Sequence, residues 1–110
     1  MAQLMLGSEL PVAHPAAGIS RQVVAGQELM LAVYTIAAGQ KMPAHSHPQE
    51  QIGYVVSGRA RFRCGGCERE LEAGAVYAVP SGEEHEVEVL GGQDATFVDV
   101  FTPLRQDFLS

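Results

Sequence analysis

Apolar and polar residues along this 110-residue chain alternate in short runs broken by glycine. Turn signals fall at Gly18, Gly26, Gly39, Gly58, Gly65 with Gly66, Gly74, Gly82, and Gly91 with Gly92. They recur about every 8 to 12 residues, the spacing of a meandering β architecture. The β-rich stretches between them, 22–24, 28–36, 51–56, 59–64, 68–71, 76–79, 85–90 and 95–101, are read as strands. The period of two is clearest at 85–90, where His85, Val87 and Val89 share one face and Glu86 and Glu88 the other. Only the tail, 103–109, allows a last helical turn. The pattern predicts an all-β sandwich or barrel.

One register follows from a single turn. With Gly65 and Gly66 as a two-residue hairpin turn, Arg63 faces Glu68, Arg61 faces Glu70 and Arg59 faces Glu72. Cys64 with Cys67, Phe62 with Arg69 and Ala60 with Leu71 fill the other face. Three alternating arginines therefore read as a solvated charge ladder rather than an anion-binding patch. The stretch 29–36 is apolar on both faces, which asks for cover on each side and predicts a homodimer.

Composition narrows the classes. The length suits one domain, divided here into an N-terminal arm (1–18) expected to pair with another strand or chain, a barrel (27–101) and a tail (102–110). Hydrophobic residues make up 46%, too many for a disordered chain. A net charge of −6 argues against nucleic acid and anionic membrane as partners. No apolar run approaches the ~18 residues of a membrane span. A basic start with an apolar core is missing from 1–18, so a cytoplasmic protein is expected. Two cysteines are too few for a disulfide framework, and Cys64-Gly-Gly-Cys67 reads as two thiols at a turn that oxidation could join.

The chemistry concentrates in histidine. His45-Ser-His47 puts two imidazoles on one face if the segment is an extended strand, with Gln51 on the same parity. His85 arrives from a second stretch at an inward position. Three of the four histidines so placed read as ligands of one divalent metal, while His14 in the arm is expected to be exposed. In 97–101, Phe97, Asp99 and Phe101 share a face. If that face lines the barrel, Asp99 is a general acid/base near the metal; otherwise it faces solvent or caps a bulge. Tyr77 is read as a core tyrosine whose hydroxyl could reach a substrate.

Written with spacings, the two stretches are Gly39-x5-His45-x-His47-x3-Gln51-x6-Gly58 and Gly74-x5-Pro80-x-Gly82-x2-His85. They resemble the paired motifs of the cupin superfamily, with Gln51 where Glu usually stands and Val89 where the second motif usually closes with Asn. The resemblance implies a small double-sheet barrel, usually homodimeric, holding one metal on His45, His47, Gln51 and His85. The ion is nickel, zinc, iron, manganese or cobalt; the ligand set does not choose among them. Four neutral ligands would leave the ion its full charge, favouring Lewis-acid chemistry on an anionic substrate. Glu50, of opposite parity, is the alternative to Gln51.

The segments 45–51 and 97–109 together resemble a narrower group, the KdgF-type cupins of pectin degradation. Those convert 4,5-unsaturated uronates from the cyclic sugar to the linear keto form. By that resemblance Asp99 is the acid/base, Phe101 packs on the sugar and Arg105 binds the uronate carboxylate. A guanidinium pairs bidentately with carboxylates, although Arg105 could equally pair with Asp107 or a chain end. Leu104 and Gln106 stand where the group often has Pro and Glu. The expectation is a metal-dependent isomerase or lyase on a small anionic sugar. The alternatives are a dioxygenase or cyclase/lyase on another small acid, and a non-catalytic sugar- or metal-binding barrel.

Overall fold

The computed structural model describes residues 1–109; Ser110, the last residue of the predicted tail, lies outside them. Ten strands follow in order: β1 (Ala13–Ala16), β2 (Ile19–Ala25), β3 (Met30–Ile36), β4 (Lys41–His45), β5 (Glu50–Ser57), β6 (Arg59–Cys64), β7 (Cys67–Glu72), β8 (Val76–Val79), β9 (His85–Leu90) and β10 (Ala95–Thr102). One-turn 3-10 helices at Gly7–Glu9 and Gln106–Phe108 flank them. A six-stranded sheet runs β1-β2-β3-β10-β5-β8 and a four-stranded sheet runs β4-β9-β6-β7. Both are antiparallel throughout, and they face each other as the all-β barrel the pattern predicts.

Period-two alternation fills the space between the sheets. Met30, Ala32, Tyr34 and Ile36 of β3 point inward beside Phe97 and Phe101 of β10, against Ala60 of β6 and Val89 of β9. Each large side chain so buried contributes roughly 1.5–3 kcal/mol. The strands predicted at 59–64, 76–79 and 85–90 coincide with β6, β8 and β9.

The sequence reading placed no strand bounds at β1 or β4, although it expected the arm that holds β1 to pair. Each is one of the two edge strands of its sheet and each contains a proline, Pro15 or Pro43. Proline is tolerated at an edge because no ladder bond needs its missing N–H, and there it erases the usual sequence signature. The N-terminal arm is tied to its own chain, β1 pairing with β2 while the Gln22 amide donates to the carbonyls of Gly7 and Leu10. His14 is exposed, as expected.

The hairpin register is the one derived from the turn, Arg59↔Glu72 through Cys64↔Cys67. Its ladder extends further than expected. Arg63 meets Glu68 at 3.1 Å and Arg61 meets Glu70 at 3.9 Å, but both arginines also reach β9, at Glu86 (3.2 Å) and Glu88 (2.9 Å). Lys41 of β4 joins through Glu86 at 3.2 Å. These pairs lie largely in solvent and set register more than stability. Both cysteines are free thiols, and Cys64 sits opposite His85 on the neighbouring strand.

Candidate metal centre and its cavity

His45 ends β4, directly opposite His85 at the start of β9. The expected geometry for His45 and His47 needs correction. The strand stops at His45, after an irregularity in its pairing, and His47 lies in the loop before β5. The imidazoles converge because the loop folds back between the sheets, not because they share a strand face. His47 and His85 are buried and His45 partly so. Ring centroids lie 4.2 Å (His45–His85), 4.9 Å (His47–His85) and 5.7 Å (His45–His47) apart. One nitrogen from each ring falls within 4.8 Å of the others.

Local backbone fixes how the rings face. Each Nδ1 lies against a carbonyl two residues away: Pro43 for His45 (2.9 Å), Gln49 for His47 (3.1 Å) and Glu83 for His85 (2.9 Å). A carbonyl only accepts, so each Nδ1 carries the proton and each Nε2 is left with a lone pair, the arrangement usual behind metal-bound histidine. Burial, with the charge of Arg105, holds His47 below the ordinary histidine range; burial does the same for His85. Both are therefore neutral near pH 7, the form that can ligate.

Gln51 supplies the test of fit. It is 7% exposed on β5, whereas neighbouring Glu50 is exposed, which removes Glu50 as the alternative. Its Oε1 lies 3.1 Å from His47 Nε2, and its amide favours the charged form of Asp99. The Asp99 carboxylate accepts, so the –NH₂ faces it and the oxygen faces the histidine. Two lone-pair atoms are thereby held about 3 Å apart, the spacing of neighbouring ligands on one ion ~2.1 Å from each. Three imidazoles and an amide oxygen fit a divalent first-row transition ion.

Asp99 lines the same cavity, only 5% exposed on β10. The expectation that it faces the barrel holds. Burial pushes its carboxyl up to about 6, against hydrogen bonds from Tyr77 and Gln51 that pull it down. The Tyr77 hydroxyl donates to Asp99 Oδ1 at 2.5 Å, so it is committed to the acid rather than free for a ligand. Burial and the Asp99 charge raise the Tyr77 pKa and keep its proton in place.

The tail closes the site. Arg105 lines the cavity with only 14% of its side chain exposed, and Nη2 meets Asp107 Oδ2 at 2.9 Å. The pair with Asp107 is the alternative partner the sequence offered, and it forms while Arg105 lines the cavity. Phe108, in the predicted last turn, lies between two guanidinium groups, Arg21 at 3.8 Å and Arg105 at 4.1 Å from its ring centre. Phe101 is fully buried, its ring 5.5 Å from that of His47 and 5.8 Å from that of Phe108. Gln49, which sequence reasoning passed over, donates from Nε2 to the Leu104 carbonyl and so ties the tail to the histidine loop. The cavity measures about 240 Å³. That is below the roughly 300–1,000 Å³ of sites for drug-sized ligands and suits a molecule the size of one sugar ring.

Residues 32–101 match the family described as Cupin domain. The chain belongs to the cupin family. Among solved structures, this cupin is similar to KdgF from Halomonas sp., with 29% identity, a TM-score of 0.89, and 96% of this chain and 99% of that one covered. It is also similar to an RmlC-like cupin from Shewanella frigidimarina, with 26% identity, a TM-score of 0.90, and 98% and 96% covered. An uncharacterized protein of Streptomyces coelicolor is 28% identical over 86 residues, 78% of this chain and 81% of that protein. It is a small cupin resembling KdgF, with a three-histidine site able to hold a metal. Among the described residues, no helix is long and apolar enough to cross a membrane.

Proposed function

We propose that this cupin is a metal-dependent enzyme that opens the ring of a 4,5-unsaturated uronate and tautomerises it to the linear keto form. One observation carries the reading: a buried carboxyl pushed up to about 6 lines a one-sugar cavity with a guanidinium and with His45 and His85, two of three clustered imidazoles. The reaction is an isomerisation, so no oxidant or second substrate is required. The bond between the anomeric carbon and the ring oxygen breaks, its electrons passing to that oxygen. The anomeric hydroxyl loses a proton, and the alkene carbon gains one as the enol becomes a ketone. Asp99, able to hold or release a proton near neutral pH, moves it. Arg105 binds the substrate carboxylate and supplies positive charge that a chain of net charge −6 lacks overall. Phe101 packs against the sugar. A divalent ion on His45, His47, Gln51 and His85 would supply Lewis acidity toward a substrate oxygen.

The test is loss of the conjugated-alkene absorbance of an unsaturated uronate. Metal-loaded protein should remove it and Asp99→Asn should not. A loaded wild-type protein that leaves the signal unchanged, or an equally fast Asp99→Asn, defeats the proposal. Oxygen uptake by the iron-loaded protein would point instead to a dioxygenase.

The partner of the outer sheet face is part of the same proposal. Ile52, Tyr54, Val56 and Val76 are exposed together on β5 and β8, beside half-buried Val98 and Val100 of β10. A second copy of the chain would cover this apolar face.

A further inference from the structure

We propose that Tyr77 is a positioning residue that orients the Asp99 carboxyl, and that Gly53 is the notch that lets it do so. The inference rests on the reading of Asp99 as the proton-moving group.

The arrangement begins with register. Asp99 on β10 stands opposite Gly53 on β5, and Gly53 stands opposite Tyr77 on β8. The three form one row across the sheet, on its inner face. Adjacent strands are about 4.8 Å apart, so the aspartate and tyrosine backbones are separated by roughly 10 Å. An aspartate side chain cannot span that gap. Only a long side chain lying flat over the middle residue can, and the middle residue must then be small. A Cβ built on Gly53 runs into the Tyr77 ring and into Asp99 Oδ1. Gly53 has no positive φ, so this glycine serves clearance and not a turn.

The ring is seated as well as admitted. Phe62 of the opposite sheet packs on Tyr77 with ring centres 4.4 Å apart, and Phe97 packs on Phe62 at 5.7 Å. The hydroxyl thus reaches Asp99 Oδ1 at 2.5 Å from a fixed base, a short charge-assisted bond. A carboxyl group turns freely about its last torsion when nothing holds it. Tyr77 holds one of the two carboxyl oxygens, Oδ1, in place. The plane of the carboxyl, and so the direction in which it takes or returns a proton, is set by this donor. A catalytic group displaced by about 1 Å loses on the order of a hundredfold in rate.

The experiment compares wild type, Tyr77→Phe and Gly53→Ala, each loaded with the same metal and assayed on the unsaturated uronate. Tyr77→Phe keeps the ring and its packing on Phe62 and removes only the hydroxyl. It should lower kcat by about tenfold to a hundredfold while KM changes less than threefold and metal content stays that of wild type. Gly53→Ala should show the same kinetic split together with lower stability. His14→Ala, in the exposed N-terminal arm, should change neither constant. In metal-free protein labelled with carboxyl ¹³C-aspartate, the Asp99 signal should move in Tyr77→Phe. If Tyr77→Phe turns over as wild type does, or changes only the amount of folded protein, the positioning role is wrong. An inactive wild type would overturn the proposed reaction itself. An Asp99 signal unmoved by Tyr77→Phe would then overturn the orientation as well.

Discussion

Replacing Asp99 by asparagine should stabilise the metal-free protein at neutral pH, and the gain should vanish in acid. The carboxyl lies near 6 rather than at its ordinary 3.8, chiefly because 95% of the residue's surface is out of water. Each tenfold change in proton affinity is worth ~1.36 kcal/mol, so holding the ionised form in the barrel costs about 3 kcal/mol. The sign follows from linkage. A folded-state pKa above the unfolded one means that the native chain binds the proton more tightly. Stability is therefore lost as pH rises from about 4 to about 6, and the full penalty persists above that. Asparagine keeps the shape and carries no charge. Urea unfolding of both proteins from pH 4 to pH 8, followed by circular dichroism, measures the difference. The variant should be about equal to wild type at pH 4 and more stable by up to 3 kcal/mol at pH 8, less whatever is lost from its altered hydrogen bonds to Tyr77 and Gln51. A stability difference that is flat with pH, or one that grows toward acid, would refute the assignment of a buried, strained charge.

Further outcomes are expected elsewhere. Arg105→Ala should raise KM for a uronate by about tenfold to a hundredfold, in line with the loss of a charge-assisted pair worth roughly 1.5–3 kcal/mol. The same variant should act on a neutral analogue as wild type does, which steady-state kinetics on both compounds would check. Gln51→Glu should tighten metal binding, read by isothermal titration, because a carboxylate replaces a neutral ligand; it should also slow turnover, because a second negative charge then faces Asp99 and the amide donor is gone. Val76→Glu, on the exposed apolar face, should turn a dimer into a monomer in sedimentation velocity, while unchanged sedimentation would deny that face to a second copy.

Much of this architecture was legible along the chain. Hydrophobic alternation and recurrent glycines specify an all-β fold because a strand exposes alternate residues to two different environments, whatever its partners. The hairpin register came from two glycines and three opposite-charge pairs, all of it local information. The histidine motifs were readable because their spacing is set by short turns. The bounds of edge strands β1 and β4 were not, since a proline at an edge needs no compensating pattern. The convergence of His45 and His47 was anticipated for the wrong reason: parity on a strand was assumed where a loop does the work.

What only the tertiary structure decided concerns neighbours across strands. Sequence alternation says that Asp99, Gly53 and Tyr77 each have an inner or an outer face. It cannot say that β10, β5 and β8 lie side by side with those three residues in one row. The same holds for Phe108 held between Arg21 and Arg105, which brings the tail back over the cavity from a segment whose local sequence predicts only a final turn. Faces are fixed by local covalent geometry. Rows, clamps and the environment that lifts the Asp99 carboxyl depend on which distant segments pack together, and that is settled by the free energy of the whole barrel.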